Sequence, residues 1–402
     1  MESVLYKMVS FPQNSYIILE GEKKSQQFYI IKDGKVNLKR DFPVANEKPN
    51  EILGPGDFFG VISAMSQLPQ VETAVSLTPV NLIAVSFTKF GELIQKNSPL
   101  ALKIIRFFSK KLRQYDDKDT GTRAMSSNSP DQLNLLVELA EHYITLGQKE
   151  TASYMLKSYL KYLPKGEFAK NAQEILSELG SVGDNEETEI RGNIRVYNKD
   201  QLIFCENEPG NDLFIVQRGR IRITKLINKV EVQLNIMKPG DIFGEMALLE
   251  NKPRSASAVA MEECELLSIN KANFEIMTEK QPQLMTRIIT ILSERIWNAY
   301  KKVLNSYIVD NTSRIMDMLM ILFERSKIKP TTGLIFDFST TIPEVMKMTG
   351  IYDDPEKIIK KILGLYKFIR IEGETIICTD VTLMDRQVGI IRSKLKDAKP
   401  II

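Results

Sequence analysis

Residues 240–258 read GDIFGEMALLENKPRSASA, a run that predicts a small cradle for an anion. Gly240 and Gly244 allow the backbone to turn sharply and to approach a ligand closely. Residues 245–249 are good helix formers and follow that turn directly. The free N–H groups and the positive end of a helix starting there would point at a bound anion.

Three side chains in this run indicate what the ligand contains. The guanidinium of Arg254 suits a pair of phosphate oxygens, and Ser255 adds a hydroxyl and a backbone N–H. The carboxylate of Glu245 would repel a phosphate, so it must contact another part of the ligand. A ribose hydroxyl, which can donate to a carboxylate, fits that position.

The run closely resembles the phosphate-binding cassette of cyclic-nucleotide-binding domains. The resemblance implies that Glu245 accepts from the ribose 2′-OH and that Arg254 pairs with the cyclic phosphate. It also implies that the N–H groups of Met246 and Ala247 face the phosphate and that Ser255 adds a hydrogen bond. The candidate ligand-binding residues in the run are Phe243, Gly244, Glu245, Met246, Ala247, Arg254, Ser255 and Ala256. The alternative is an ordinary strand, turn and helix with a surface arginine.

Composition excludes several classes of protein. A chain of 402 residues with 43% hydrophobic residues is long enough for two to four globular domains. The net charge of +3 gives no global field that favours nucleic acid. No apolar run is long enough for a membrane span, and the N-terminus does not resemble a signal peptide. We therefore expect a cytoplasmic protein without a membrane partner.

The residues that most often carry metals or catalysis are scarce. Cys205, Cys264 and Cys378 are scattered without metal-ligand spacing, which suits a reducing compartment. His142 is the only histidine and lies in a helical pattern, where we expect a structural role. The sequence predicts no metal, no catalytic residues and no enzyme activity.

The chain predicts an α+β multidomain fold in which one barrel occurs twice. Residues 1–116 and 188–306 share an order of short strands, a glycine turn and a long helix, which indicates a duplicated jelly-roll-like β-barrel. Residues 131–180 form a helical spacer whose spacing matches the tetratricopeptide pattern. One such unit cannot make a solenoid, so a spacer is favoured, with a docking surface or dimer contact as the alternative.

Residues 307–402 predict a winged helix-turn-helix-like unit. A capped helix over 341–350, a second helix over 355–367 and a hairpin over 368–378 occur in the order of that motif. Residues 190–380 as a whole resemble the catabolite-activator family of transcription regulators.

The resemblance to the catabolite-activator family implies a homodimer. It also implies a lid, that is, aromatic side chains that cover the bound purine. In the family the long helix after the barrel pairs with its mate and caps the base. The residues that could form the seam here are Ile288, Ile291, Leu292, Arg295, Ala299 and Val303. Trp297 and Tyr300 would stack on the purine as a lid. Packing of both rings in a protein core is the alternative.

The two barrels differ at the positions that matter for binding. When the two barrels are aligned, the first has Val61 where the second has Glu245. It likewise has Gln70 in place of Arg254 and Glu72 in place of Ala256. The first barrel thus lacks the ribose acceptor and the phosphate's cation, and it adds a carboxylate that would repel phosphate. We expect one ligand, bound in the second barrel only.

Two functions remain open. The first is a regulator of transcription that binds DNA in response to a cyclic nucleotide. The second is a receptor that acts on a protein partner, which the acidic run Asp353-Asp354-Pro355-Glu356 at the expected DNA-reading helix favours. Ser255 and Ala256, together with the family resemblance, favour cAMP over cGMP as the ligand.

Overall fold

A computed structural model describes residues 6–23, 26–42, 50–120, 130–180, 188–227, 230–245, 253–270, 273, 276 and 280–397. The chain forms two compact units. One comprises Met1–Phe90 and Ser293–Ile402, and the other comprises Gly91–Leu292. The predicted division into domains 1–116, 131–180, 188–306 and 307–402 stays a prediction.

The discontinuous unit begins with a barrel of two four-stranded antiparallel sheets. Its strands are β1 (Lys7–Phe11), β2 (Tyr16–Ile18), β3 (Gln27–Asp33), β4 (Val36–Lys39), β5 (Asn50–Leu53), β6 (Phe58–Phe59), β7 (Thr73–Ser76) and β8 (Val80–Ser86). The sheet orders are β1-β8-β3-β6 and β2-β7-β4-β5. Inward-facing residues of both sheets, such as Ile31, Val36 and Leu82, form the core. Helix α1 (Val61–Ser66) follows β6 and is buried along its whole length.

The C-terminal part of the same unit contains helices and a small sheet. The helices that start in it are α8 (Asn311–Arg325), α9 (Ile342–Thr349), α10 (Pro355–Leu365) and α11 (Val381–Asp397). The strands β18 (Phe336–Asp337), β19 (Ile369–Glu372) and β20 (Thr375–Cys378) pair in the order β18-β20-β19. Thr341 and Glu344 form a capping box at the start of α9, and Gly350 ends that helix with a φ of 66°. The winged-helix likeness of this part stays a prediction.

The continuous unit contains the second barrel. Its strands are β9 (Glu189–Arg191), β10 (Ile194–Tyr197), β11 (Leu202–Phe204), β12 (Asp212–Arg218), β13 (Ile221–Ile227), β14 (Val230–Met237), β15 (Ile242–Phe243), β16 (Ser257–Ala260) and β17 (Cys264–Asn270). They form two antiparallel sheets in the orders β15-β12-β17-β10-β9 and β11-β16-β13-β14.

Helices precede the second barrel in the chain. They are α2 (Phe90–Lys96), α3 (Ser98–Thr120), α4 (Pro130–Thr145), α5 (Lys149–Tyr162) and α6 (Ala169–Leu179). We call α4, α5 and α6 the helical insert. Ala140 and Ala152 are fully buried where α4 and α5 pack, as their small size predicts. The insert's core continues into the barrel through Leu202 and Cys205. Its tetratricopeptide likeness stays a prediction.

Backbone hydrogen bonds confirm the duplication. In the first barrel the N–H of Gly56 donates to the carbonyl of Ile31 at 2.8 Å. In the second, the N–H of Gly240 donates to the carbonyl of Val216 at the same distance of 2.8 Å. Both glycines have positive φ, 86° and 93°, which other residues rarely adopt.

Helix α7 (Pro282–Ser306) begins in the continuous unit and ends in the discontinuous one. Ile288, Leu292 and Val303, three of the residues predicted for a dimer seam, are buried within the single chain. The homodimer therefore stays a prediction, and these three side chains already have intramolecular neighbours.

Candidate functional site

The predicted cradle lies where β15 ends. Phe243 is buried in the barrel core, and Gly244 follows it with a φ of 78°. A β-carbon on Gly244 would lie only 2.6 Å from Nη1 of Arg254. A glycine is therefore required at this position both for the backbone conformation and for the close approach of the arginine.

Arg254 is held from several sides. Its Nη1 donates to the carbonyl oxygens of Asp212 at 2.8 Å and of Gly244 at 2.7 Å. Its guanidinium carbon lies 4.1 Å from the ring centroid of Phe204, a cation–π contact. Gly210 leaves room for it, because a β-carbon there would lie 2.3 Å from Nε of the same arginine.

The site carries a buried positive charge. Arg254 is only 6% exposed, and its Nε has no hydrogen-bond partner within the described ranges of the chain. Burial lowers the pKa of Arg254, while the nearby carboxylates of Glu208 and Asp212 act in the opposite direction. An arginine nevertheless remains protonated in a protein. A small anion such as a phosphate would find a fixed, desolvated cation with hydrogen-bond donors still available.

The other predicted residues are placed as follows. Glu245 is 2% exposed and directly follows Gly244, so its carboxylate belongs to the same buried region. Ala256 is buried and Ser255 half-buried beside Arg254 in the chain. Met246 and Ala247 lie outside the described residues.

The corresponding region of the first barrel is occupied by the chain itself. The Glu72 carboxylate accepts a hydrogen bond from the N–H of Gly60 at 2.7 Å. It also lies 3.3 Å from Nη2 of Arg40. Both side chains of this ion pair are almost completely buried, and the carboxylate lies at the turn of the first barrel that corresponds to Gly244.

Backbone pairing shows which positions correspond. Arg254 donates its N–H to the carbonyl of Glu208 and accepts from the N–H of Asn207, at 2.8 and 2.9 Å. In the first barrel Gln70 makes the same two bonds, with Glu22 and Gly21, at 2.9 and 2.8 Å. The alignment of Gln70 with Arg254 is thus correct, and the first barrel has an amide where the second has a cation.

Trp297 and Tyr300, the predicted lid, have their described contacts within the discontinuous unit. Trp297 is fully buried in the discontinuous unit, where its Nε1 donates to the carbonyl of Pro69 at 2.9 Å. The Tyr300 hydroxyl donates to Glu20 at 2.7 Å, and the guanidinium of Arg40 lies 5.3 Å from its ring centroid. Both rings therefore pack in a core, the alternative left open above, and they hold α7 to the first barrel.

Sequence reasoning missed the residues that support Arg254. Asp212, Gly210 and Phe204 contact it from 42 to 50 positions earlier in the chain. The turn signal around Pro209 and Gly210 marks a loop, but it does not indicate what that loop contacts.

Two further findings concern the described ranges of the chain. No group of His, Cys, Asp or Glu residues there is arranged to hold a metal ion. Among the same residues, the helices are too short or too polar to cross a membrane.

Comparisons with known proteins agree with this geometry. The family model for the cyclic nucleotide-binding domain matches residues 8–97 and 194–281, one segment in each barrel. A CRP-like cAMP-activated global transcriptional regulator of Mycobacterium tuberculosis is 23% identical over 46% of this chain and 83% of its own length. The cyclic AMP receptor protein of Thermus thermophilus is 32% identical over 26% of this chain and 49% of its own.

A relative of another kind matches a longer part of the chain. The cAMP-dependent protein kinase regulatory subunit of Eremothecium gossypii is 25% identical over 68% of this chain and 44% of its own length. The relatives are thus regulators and a regulatory subunit. The duplicated barrels and the two matched segments together show that the chain contains two cyclic nucleotide-binding domains in tandem.

Proposed function

We propose that the protein is a cAMP sensor that binds one nucleotide, in the second barrel. Arg254 pairs with the cyclic phosphate and Glu245 accepts from the ribose 2′-OH. The N–H groups of Met246 and Ala247 face the phosphate, and Ser255 adds a hydrogen bond. The observation that carries this proposal is the buried, preorganised cation at Gly244, which the first barrel lacks.

The preference for cAMP over cGMP has two supports. Ser255 and the small, buried Ala256 are typical of the cassette that the sequence resembles. The three relatives described above also carry cAMP or cyclic AMP in their names.

Isothermal titration calorimetry with cAMP and with cGMP tests the proposal. We expect tighter binding of cAMP and a stoichiometry near one per chain. A stoichiometry near two would assign a ligand to the first barrel as well. Absence of heat and of competition with a fluorescent cAMP analogue would reject the sensor function.

The signal would leave the second barrel through α7. Beyond Leu292 this helix is part of the discontinuous unit, where Lys301 lies 3.6 Å from Glu324 of α8. Arg392 of α11 contacts the same Glu324 at 3.0 Å. Movement of α7 would therefore act on the C-terminal helices through a buried ion-pair network.

Two outputs fit this arrangement. A DNA output is favoured by the names of the bacterial relatives. A protein partner is favoured by the acidic start of α10, where Asp353, Asp354 and Glu356 are exposed. In either case we propose a cytoplasmic homodimer, whose mass multi-angle light scattering would measure with and without cAMP.

A further inference from the structure

The loop between β11 and β12, residues 205–210, lies between Arg254 and the helical insert. On one side it contacts the arginine: Glu208 accepts from the Arg254 N–H, and Gly210 faces its Nε. On the other side Cys205 is buried in the core of the insert. One short loop therefore contacts both the phosphate-binding cation and the helices that precede the barrel.

The Glu208 carboxylate is fixed by the insert. The Tyr154 hydroxyl, on α5, lies 3.1 and 3.3 Å from its two oxygens. The N–H of Cys205 donates to the same carboxylate at 3.0 Å. Glu208 is almost fully buried, and a buried carboxyl group requires such hydrogen-bond partners.

The protonation of these groups agrees with the geometry. Burial, and then the charge of Glu208, raise the pKa of Tyr154 well above its usual value, so the phenol keeps its proton and donates. The carboxylate of Glu208 also offsets part of the loss of hydration of Arg254. Tyr154 thus contacts a carboxylate whose charge acts on the phosphate-binding arginine.

The first barrel provides an internal comparison. Glu22 occupies the position of Glu208 and makes the same backbone bond, to the N–H of Gln70. Its side chain is exposed to solvent rather than held by a helix. The buried contact with a tyrosine is therefore an addition of the second barrel, the one with the complete cradle.

We propose that Tyr154 is a positioning residue of the cyclic-nucleotide site, acting through Glu208 and the 205–210 loop to hold Arg254 ready for the phosphate. This inference rests on the proposed function for its ligand. The helical insert then supports the site through the contact between Tyr154 and Glu208. Binding of the nucleotide would in turn stabilise the position of α5.

The test compares Tyr154→Phe with Tyr159→Phe in the full chain. Tyr159 is a second tyrosine of α5 and is fully buried, whereas Tyr154 is half-buried; the Tyr159 hydroxyl contacts Asn134 and the N–H of Phe168, both within the insert and its connections. Each variant loses one hydroxyl from the same helix. Only the first loses a contact with the loop.

We expect Tyr154→Phe to weaken cAMP binding about tenfold, which is about 1.4 kcal/mol. We expect Tyr159→Phe to change the affinity less than twofold, although both lower the melting temperature. Without ligand, hydrogen–deuterium exchange of peptides covering 203–212 should be faster in Tyr154→Phe than in Tyr159→Phe. Equal affinity losses in the two variants, or unchanged exchange in the first, would overturn the proposal.

The sensor function and the positioning role of Tyr154 can be rejected independently of each other. Wild-type protein that binds neither cAMP nor cGMP would reject the sensor function. The exchange comparison needs no nucleotide, so it still decides whether Tyr154 orders the loop beside Arg254.

Discussion

The Glu72 carboxylate accepts a 2.7 Å hydrogen bond from the backbone N–H of Gly60, at the turn that corresponds to Gly244 of the second barrel. The first barrel thus holds an anion of its own, paired with Arg40 at 3.3 Å. A phosphate entering there would have to displace a buried carboxylate. We therefore expect the first barrel to keep the fold of a nucleotide-binding domain without binding a nucleotide.

Glu72→Ala should destabilise the protein without changing the affinity for cAMP. It leaves Arg40 buried without this partner, and breaking a buried ion pair costs about 3–5 kcal/mol. Thermal unfolding would measure the loss, and calorimetry the affinity. In the double variant Arg40→Met/Glu72→Leu, part of the stability should return, since no charge is left behind. A loss of cAMP binding in Glu72→Ala would contradict a purely structural role.

Arg254→Ala should weaken cAMP binding by about 2–5 kcal/mol, because the phosphate loses its buried charge partner. The matched control is Gln70→Ala, which removes the side chain at the corresponding position of the first barrel. Its binding isotherm should equal that of the wild type. Equal effects of the two substitutions would show that the barrels do not differ as proposed.

Glu245→Ala should cost less than Arg254→Ala. It removes a charged acceptor of a hydrogen bond from a neutral hydroxyl, worth roughly 1.5–3 kcal/mol. Calorimetry with 2′-deoxy-cAMP gives the control, because the wild type should lose affinity for this analogue while the variant should not. Equal discrimination by both proteins would place the ribose elsewhere.

Local sequence was sufficient for much of the site. The spacing of Gly240 and Gly244 predicts a turn that the structure has, and Arg254 lies against it. The duplication could also be predicted from the repeated glycine turns. A turn that requires a positive φ accepts few residues other than glycine, so Gly56 and Gly240 occur at corresponding positions. The capped helix at Thr341 follows the same logic, since its hydrogen bonds join residues three apart.

Longer-range packing could not be read in this way. The sequence places Trp297 and Tyr300 on the long helix after the second barrel, but it does not indicate which part of the protein packs against them. Nothing in that spacing distinguishes contact with Pro69 from contact with a bound base. Similarly, Phe204 approaches Arg254 only because β11 and β16 pair in the folded barrel.

Trp297→Phe and Tyr300→Phe should lower stability and leave nucleotide affinity unchanged. The first leaves the carbonyl of Pro69 without its donor, and the second removes the hydroxyl bonded to Glu20. A buried polar group left unpaired costs about 1–3 kcal/mol. A tenfold loss of cAMP affinity in either variant, measured by calorimetry, would instead support the predicted lid.

Arg392→Met should destabilise the C-terminal helices most at neutral pH. Burial would raise the pKa of Glu324, but the charges of Arg392 and then Lys301 outweigh it and lower that pKa. In the unfolded chain a glutamate has a pKa near 4.3, and in the folded protein the pKa of Glu324 is lower. The ionised carboxylate therefore stabilises the folded state above about pH 4.3, and this stabilisation is lost as the pH falls below that value. The difference in melting temperature between wild type and variant should therefore stay nearly constant from neutral pH down to about pH 5 and shrink as the pH falls below about 4. A difference that stays constant below about pH 4 as well would show that Glu324 does not titrate with this network.

The start of α10 determines what we expect for DNA. The Asp354 side chain caps this helix by accepting from the N–H of Glu356 at 3.0 Å, so it has a structural role. Asp353 and Glu356 are exposed beside it, and Lys361 is paired with Asp310 at 3.0 Å. A DNA-binding helix needs cations for phosphates and usually Arg, Asn, Gln or Ser for base edges.

Binding of genomic DNA fragments at near-physiological salt should accordingly be no tighter than about 1 µM, with or without cAMP. Fluorescence anisotropy measures it, and Asp353→Asn/Glu356→Gln is the informative variant because it removes two exposed charges and keeps the Asp354 cap. If these carboxylates only repel phosphates, the variant should bind DNA more tightly, and the gain should disappear at high salt. Carboxylates can also accept from cytosine, so an acidic helix could in principle read DNA. A cAMP-dependent nanomolar complex of the wild type that the double substitution abolishes would establish that readout and favour transcription over a protein partner.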